Sequence, residues 1–340
     1  MKIALLGGGG FISLAVQRRL LADGHRLTIL KRHPAASSQG ARYVAGERHD
    51  PGTLAALAAD GPDAVVDFLC FTAGHARELL DAFAGRVQRL VMISTGSVYW
   101  CTGAWRNPVG EDQFDREETP RLPATPLTPG SIEYEYGTGK RAAEDVLARA
   151  HARGDLPTVR LRFPVVGGPG DPTGRYAGYV RRVADGGPLL LPDGGFNTFR
   201  HLYVEDAAAA VAAALETPDA GGGYNVASRE MISVRDLVRQ VAGCLGRPEP
   251  KVVSPPRTWL LERGYGDLFA PFSAARDQVL AIGRARRELA FQPTPYARWL
   301  ARVVAAGPGN SPQPREELEA VALFSRTSAG TPAYLDAGEA

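Results

Sequence analysis

Met1-Lys2-Ile3-Ala4-Leu5-Leu6-Gly7-Gly8-Gly9-Gly10-Phe11-Ile12-Ser13 opens the chain. The first six residues form a short apolar run, the pattern of a strand buried on both faces. After the glycines, apolar residues at Phe11, Ile12, Ala15, Val16, Leu20 and Leu21 trace one helical face, with Arg18 and Arg19 on the other. Strand, glycine turn and helix in this order are the context of a dinucleotide-binding turn. Gly7 and Gly10 let the backbone approach a pyrophosphate, and the free N–H groups and positive dipole end of the helix beginning at Phe11 and Ile12 favour its charge. Ser13 stands where a third glycine would ease helix–strand packing, and it is small enough to substitute.

The next strand bears on which dinucleotide. Arg26-Leu27-Thr28-Ile29-Leu30 ends in Lys31-Arg32, with no acid to take a ribose 2′-hydroxyl. A carboxylate repels a 2′-phosphate, whereas a guanidinium grips it through parallel hydrogen bonds. The pattern favours NADP(H) over NAD(H).

The alternation continues. A third strand over 42–46 ends at Glu47-Arg48, a helix follows over 53–59, and Ala64 to Phe71 reads as a fourth, buried strand. A helix near 76–85 and a strand over 89–93 come next. Repeated βα units predict an α/β fold, a Rossmann-type doubly wound parallel sheet. Ligands of such sheets lie beyond the carboxyl ends of the strands. Those ends carry Gly7 to Phe11, Lys31 and Arg32, Glu47 and Arg48, Phe68 to Thr72, and Ser94-Thr95-Gly96-Ser97. We assign 1–171 plus 199–227 to the dinucleotide-binding domain and 172–198 plus 228–305 to a smaller substrate-binding lobe. In that lobe Tyr176, Tyr179, Arg181 and Arg182 are candidates to face a substrate, and Arg200 to bind an anion, although a structural role accounts for each. Residues 306–340 are rich in Pro, Gly and Ser apart from a helical patch over 316–324. This tail is expected to be partly disordered or to pack at the subunit contact of a homodimer.

Composition narrows the class. With 39 basic and 37 acidic residues the net charge is +2, so no pull toward nucleic acid or a membrane surface is implied. The apolar runs fall short of a spanning helix, and the N-terminal strand is no signal peptide, which predicts a cytoplasmic protein with a small-molecule substrate. Cys70, Cys101 and Cys244 form no CxxC pair and the six histidines are isolated, so free thiols and no metal are expected.

Tyr136 and Lys140 lie four residues apart, on one face of a helix. A phenol there can exchange a proton with a substrate oxygen, and a nearby ammonium favours its ionised form. The hydroxyl groups of Ser94-Thr95-Gly96-Ser97 could address the same oxygen, although turn chemistry alone explains them.

In order, Gly7 to Ile12, Ser94-Thr95-Gly96-Ser97-Val98-Tyr99 and Tyr136-Gly137-Thr138-Gly139-Lys140 resemble the extended short-chain dehydrogenases/reductases, the NAD-dependent epimerase/dehydratase superfamily. Leu161 to Asp171, Leu202 to Ala208, Gly223 to Ala227 and Leu289 to Pro293 resemble its downstream motifs, and the likeness covers about residues 1 to 305. The resemblance implies that Tyr136 is the catalytic acid/base, that Lys140 binds the nicotinamide ribose and lowers the tyrosine pKa, and that Thr95 is the third catalytic residue. It places Gly7, Gly10, Phe11 and Ile12 at the pyrophosphate, Lys31 and Arg32 at the adenosine ribose, and Glu47 and Arg48 near the adenine. Phe68, Leu69, Cys70 and Phe71 line the cofactor, and Pro164 falls near the nicotinamide.

Departures matter as much. Val165 stands where nucleotide-sugar epimerases carry an Asn that contacts the substrate diphosphate, and Phe199-Arg200-His201 replaces the usual Arg-Asp-Phe. With Lys31 and Arg32, these favour an oxidoreductase that moves hydride between a nicotinamide and a carbonyl or alcohol. The alternatives are a nucleotide-sugar 4-epimerase or dehydratase with tightly bound NAD, and a non-catalytic cofactor-binding sensor or RNA-binding protein. The connection from Trp100 to Tyr134, with its five prolines, reads as a lid or part of the substrate pocket.

Overall fold

The structure, a computed structural model, describes residues 1–33, 40–102, 105–114, 132–265, 272, 274, 276–308 and 315–328. The chain divides into two compact units: Met1–Gly168, Arg200–Glu230 and Gln278–Tyr296 form the first, and Pro169–Phe199, Met231–Asp277 and Ala297–Ala340 the second. Residues 278–296, grouped by sequence with the second lobe, go with the first unit.

The chain begins with β1 (Lys2–Leu6), α1 (Phe11–Ala22), β2 (Arg26–Lys31), β3 (Ala41–Ala45), α2 (Pro51–Ala59), β4 (Ala64–Asp67), α3 (Ala73–Phe83), β5 (Arg89–Thr95), the single turn α4 (Ser97–Trp100), α5 (Ile132–Arg153), β6 (Thr158–Phe163) and β7 (Val166–Gly167). After α6 (Arg175–Asp185), β8 (Leu189–Leu190) and β9 (Thr198–Phe199), the first unit resumes with β10 (Leu202–Tyr203), α7 (Val204–Glu216) and β11 (Gly222–Asn225). Then follow β12 (Ile232–Ser233), α8 (Val234–Leu245), β13 (Val252–Val253), α9 (Arg257–Glu262), α10 (Gly283–Glu288), α11 (Tyr296–Ala305) and α12 (Arg315–Ser328).

The first unit is a seven-stranded parallel sheet in the order β11-β6-β5-β4-β1-β2-β3, the doubly wound arrangement expected from the alternation. Its central strands β4, β5 and β6 are buried almost throughout, as a parallel sheet covered on both faces requires, whereas the edge strand β3 is largely exposed or half-buried. Several boundaries differ from the sequence reading, most clearly at β4 and α3. β4 stops at Asp67 because its carboxylate turns back to accept from Leu69 N–H at 2.7 Å, and α3 starts at Ala73 because Thr72 caps it. The first part of the Trp100–Tyr134 connection is not a lid. Trp100, Trp105, Val109 and Phe114 are buried with Tyr99, Ala227, Leu280 and Ile282, and Asn225 binds this stretch through Val109 O and Glu111 Oε1, each at 2.9 Å. Residues 103, 104 and 115–131 of that connection lie outside the described residues.

One buried polar network fixes α5 on this sheet. Glu144, with no exposed surface, accepts a two-pronged contact from Arg162 of β6, at 2.7 Å from Nη2 and 3.0 Å from Nε. Ser94 Oγ of β5 donates to its other oxygen, and Arg160 Nε lies 3.5 Å away. Arg162 extends to the Tyr99 hydroxyl, which itself donates to Asn225 Oδ1 at 2.9 Å. Burial pushes the Glu144 carboxyl up, but the two arginines and Ser94 outweigh it and hold the group below its ordinary range.

In the second unit β8 pairs with β13 and β9 with β12. Tyr176 and Tyr179 of α6 are core residues: the Tyr176 ring lies 5.1 Å from Trp299 and 5.0 Å from Phe272. Arg182 pairs with buried Glu317 of α12. Three of the four substrate-facing candidates thus stand on structural contacts, the two tyrosines because aromatic faces fill the core and the arginine because it carries the charge partner of Glu317. Within the tail, residues 315–328 form a helix that packs Ala320, Val321 and Phe324 beside Leu190, Val253, Leu260 and Trp259, while 309–314 and 329–340 lie outside the described residues. Among the described residues no helix is long and apolar enough to cross a membrane.

Removing one member of a buried ion pair strands the other charge. Arg162→Met is therefore expected to cost about 3–5 kcal/mol in urea unfolding, and Arg162→Met with Glu144→Leu less than the sum of the single changes. A single-variant loss under about 1 kcal/mol would show that water reaches the pair.

Candidate active site

The glycine turn divides its labour. Gly7 adopts φ +99°, a backbone that side chains rarely take, and a Cβ there would lie 2.8 Å from Leu69 Cγ. A Cβ on Gly8 would strike Ile29 at 2.1 Å. Gly9 and Gly10 face the other way: nothing lies within 4 Å of a Cβ at Gly9, and at Gly10 only Ser13 Oγ, at 3.8 Å. Two glycines thus pack the turn onto the sheet and two border open space in front of α1. Ser13 Oγ donates to Gly10 O and Gln17 Nε2 to Gly8 O, each at 2.9 Å, which fixes the loop from behind. No side chain caps the N-terminus of α1 and no acid sits in its first turn, so its N–H groups and positive end stay available. These residues fit a dinucleotide pyrophosphate.

At the end of β2 the Lys31 ammonium lies 4.8 Å over the Tyr43 ring, and Arg32 is exposed. Beyond β3, Glu47 is exposed, whereas Arg48 is almost wholly buried. Its guanidinium contacts Asp67 at 2.9 Å, the His75 carbonyl at 2.8 Å, and Glu78. Arg48 therefore ties the segment after β3 to β4 and α3, and its guanidinium is turned into the fold.

After β4, Phe68 and Leu69 are half-buried, Leu69 against Gly7. Cys70 is fully buried, and burial with the Asp67 charge pushes its thiol up to about 12. Phe71 exposes 37% of its surface. Pro164, half-buried, follows β6 at its carboxyl end.

The three catalytic candidates converge. Thr95 ends β5, its Oγ1 accepting from Ser97 N–H and donating to Ser97 Oγ, each at 3.2 Å, and it is near enough to Tyr136 to lower the pKa of that phenol. Tyr136 keeps 39% of its surface in solvent; partial desolvation raises its pKa and the nearby Thr95 lowers it. Lys140, one turn along α5, is 2% exposed and donates to Ile93 O at 2.7 Å, under the Phe71 ring at 4.5 Å. Burial lowers its pKa, partly offset by Cys70, Asp67 and Glu144. The ammonium is thus turned toward a backbone carbonyl, and the Tyr136 pKa is set by its partial desolvation and by Thr95.

Sequence reasoning missed what sets this geometry. A Cβ on Gly137 would lie 2.7 Å from Ser97 O, and one on Gly139 2.7 Å from Phe71 O. The two glycines between Tyr136 and Lys140 let α5 touch the loops after β5 and β4 at once. Glu144 is the other omission. Tyr136, Lys140 and Glu144 fall at i, i+4 and i+8, a spacing the sequence displays.

A glycine turn between β1 and α1, with Thr95, Tyr136 and Lys140 at the carboxyl ends of the strands, is the arrangement of the extended short-chain dehydrogenase/reductase class. Residues 3–227 match the NAD dependent epimerase/dehydratase family, and the chain belongs to it. It is 32% identical to the 2′-dehydrokanamycin reductase of Streptomyces kanamyceticus, over 97% of this chain and 93% of that protein. It is 25% identical to the dTDP-L-rhamnose 4-epimerase of Burkholderia thailandensis, over 78% of this chain and 93% of that one. The fold is shared with the UDP-glucose 4-epimerase of Thermotoga maritima, solved with UDP-glucose, at a TM-score of 0.68 and 20% identity, over 90% of this chain and 98% of that one. The chain is an enzyme of the NAD-dependent epimerase and reductase kind.

The open space before Gly10 can be tested apart from the fold. Gly10→Ala is expected to leave the melting temperature unchanged, because its methyl meets only Ser13 Oγ at 3.8 Å, yet to weaken dinucleotide binding in a fluorescence titration. Gly8→Ala, aimed at Ile29, should destabilise the protein itself. Undiminished binding by Gly10→Ala would place the pyrophosphate elsewhere.

Proposed function

We propose that this enzyme is an NADP(H)-dependent oxidoreductase that reduces the carbonyl of a small molecule, with Tyr136 as the proton donor. The observation that carries the reading is the packing of α5 between Tyr136 and buried Lys140 against the end of β5, where Gly137 meets Ser97 O two residues beyond Thr95. A bound dihydronicotinamide supplies hydride to the carbonyl carbon. The chain's own residues deal with the oxygen: Thr95 donates a hydrogen bond to it, and Tyr136 delivers its phenolic proton as negative charge builds there. A raised tyrosine pKa suits an acid that holds its proton until the oxygen turns basic. Gly7, Gly10 and the backbone of Phe11 and Ile12 hold the pyrophosphate, and Lys140 reaches a ribose hydroxyl. Phe68, Leu69 and Phe71 form a wall, while Cys70 turns its thiol into the core; Pro164 lies beside the nicotinamide. Glu47 borders the adenine, and Arg48 acts there only by fixing the backbone.

Lys31 and Arg32 support NADP(H), as cations at the end of β2 where NAD sites carry an acid. The 2′-dehydrokanamycin reductase supports the reductive direction, as does the 2-alkyl-3-oxoalkanoate reductase of Stenotrophomonas maltophilia, at 30% identity over 73% of this chain. The dTDP-L-rhamnose 4-epimerase favours a second reading, a nucleotide-sugar epimerase with tightly bound NAD. Val165 speaks against it, because its side chain cannot donate to a substrate diphosphate.

Two measurements test this reading. Tyr136→Phe should lower NADPH consumption on a panel of keto-sugars and oxo-acids by about 10²–10⁴-fold while NADPH still binds; wild-type turnover by this variant would remove Tyr136 from the chemistry. Arg32→Asp should weaken NADPH binding by about tenfold or more and leave NADH little changed. Tighter binding of NADH than NADPH by the native enzyme would overturn the cofactor assignment and restore the epimerase reading.

A further inference from the structure

Phe71 is large, apolar and 37% exposed, at a position that borders the reacting groups. Its ring lies 4.5 Å from the Lys140 ammonium and 6.2 Å from the Tyr136 ring. Lys140 beneath it is 2% exposed, and Ile93 O accepts one of its hydrogens. An ammonium carries three donors; one goes to Ile93 O, and the π face of Phe71 covers the group 4.5 Å away.

The backbone of Phe71 is held from three sides. Its carbonyl packs against Gly139 of α5, its N–H donates to His75 Nδ1 at 3.1 Å, and Asp67 fixes Leu69 N–H at 2.7 Å. Thr72 then caps α3. The loop cannot swing as a body without breaking these contacts. The side chain, with more than a third of its surface in solvent, can turn about its own torsions on a fast timescale.

We propose that Phe71 is a movable cover on Lys140, and that the ribose of the dinucleotide displaces the ring to reach the ammonium. This rests on the dinucleotide reading above. The ring holds the lysine against Ile93 in the free enzyme and excludes water from it. Binding then exchanges a cation–π contact for hydroxyl hydrogen bonds, so the cover lowers the apparent affinity by the share of molecules in which it is closed. Phe71 is here a positioning residue: it acts through Lys140 and takes no part in proton or hydride transfer.

The experiment combines lysine labelling with cofactor titration. Lys2 and Lys251 are exposed and serve as internal references. Reductive methylation followed by mass spectrometry should modify Lys140 of the native enzyme at least about tenfold more slowly than either reference. Phe71→Ala should bring the Lys140 rate toward theirs and tighten NADPH binding by about 2- to 30-fold, the equivalent of one cation–π contact. Phe71→Leu, which keeps bulk but no π face, should fall between. Lys140 labelling as slow in Phe71→Ala as in the native enzyme overturns the proposal, as does NADPH binding that is unchanged or weaker. If neither protein binds NADPH or NADH, the dinucleotide reading fails together with the proposal. Binding that ignores the substitution defeats the cover alone.

Discussion

Glu144 carries a negative charge into a place with no exposed surface, and the position of α5 follows from how that charge is met. Arg162 grips it with two donors, Ser94 with a third, and Arg160 stands close by. These partners come from β5 and β6, the two strands beneath the helix. An unpaired carboxylate there would be prohibitively costly, so the helix has one depth and one rotation at which the pair closes. Lys140 lies one turn above Glu144 on the same face and Tyr136 one turn above that, which makes their placement over the strand ends a consequence of the pair below.

Glycine contacts finish what the ion pair begins. Gly137 and Gly139 bring α5 against the loops after β5 and β4, and Gly7 brings the first turn against Leu69 from the other side. Three strand-end loops are thereby drawn together, at Gly137 and Gly139 through positions where a methyl group would strike backbone and at Gly7 through one where it would strike the Leu69 side chain. The candidate polar groups of the site are few, a threonine, a tyrosine and a lysine, but their geometry is set by many residues outside that set.

How much of this was legible depends on how far each cause lies from its effect. The β1 turn and α1 are local, and their glycines and periodicity are read directly. The parallel sheet follows from alternation, and Thr95, Tyr136 and Lys140 from motif order. Arg48 was misread because its partners, Asp67 and Glu78, lie 19 and 30 residues away and only the fold brings them near. The stretch from Trp105 to Phe114 was misread for a related reason. The prolines of the whole connection suggest an open loop, whereas Asn225 and Leu280, far along the chain, bury this stretch. Glu144 could have been found from its spacing to Lys140; that it meets Arg162 could not.

The second unit holds a consequence for anyone reshaping the chain. Helix α12 brings Glu317 to Arg182 of α6 and sets Phe324 on Trp259 at 5.1 Å. A stretch whose composition looks dispensable thus carries the counter-charge of a buried arginine. Trimming before Arg315 would leave that guanidinium in an apolar setting without its carboxylate, while additions after Ser328 leave the contact intact. The sensible place to attach a tag or a partner domain is past α12, and a shorter version of the enzyme is better sought elsewhere.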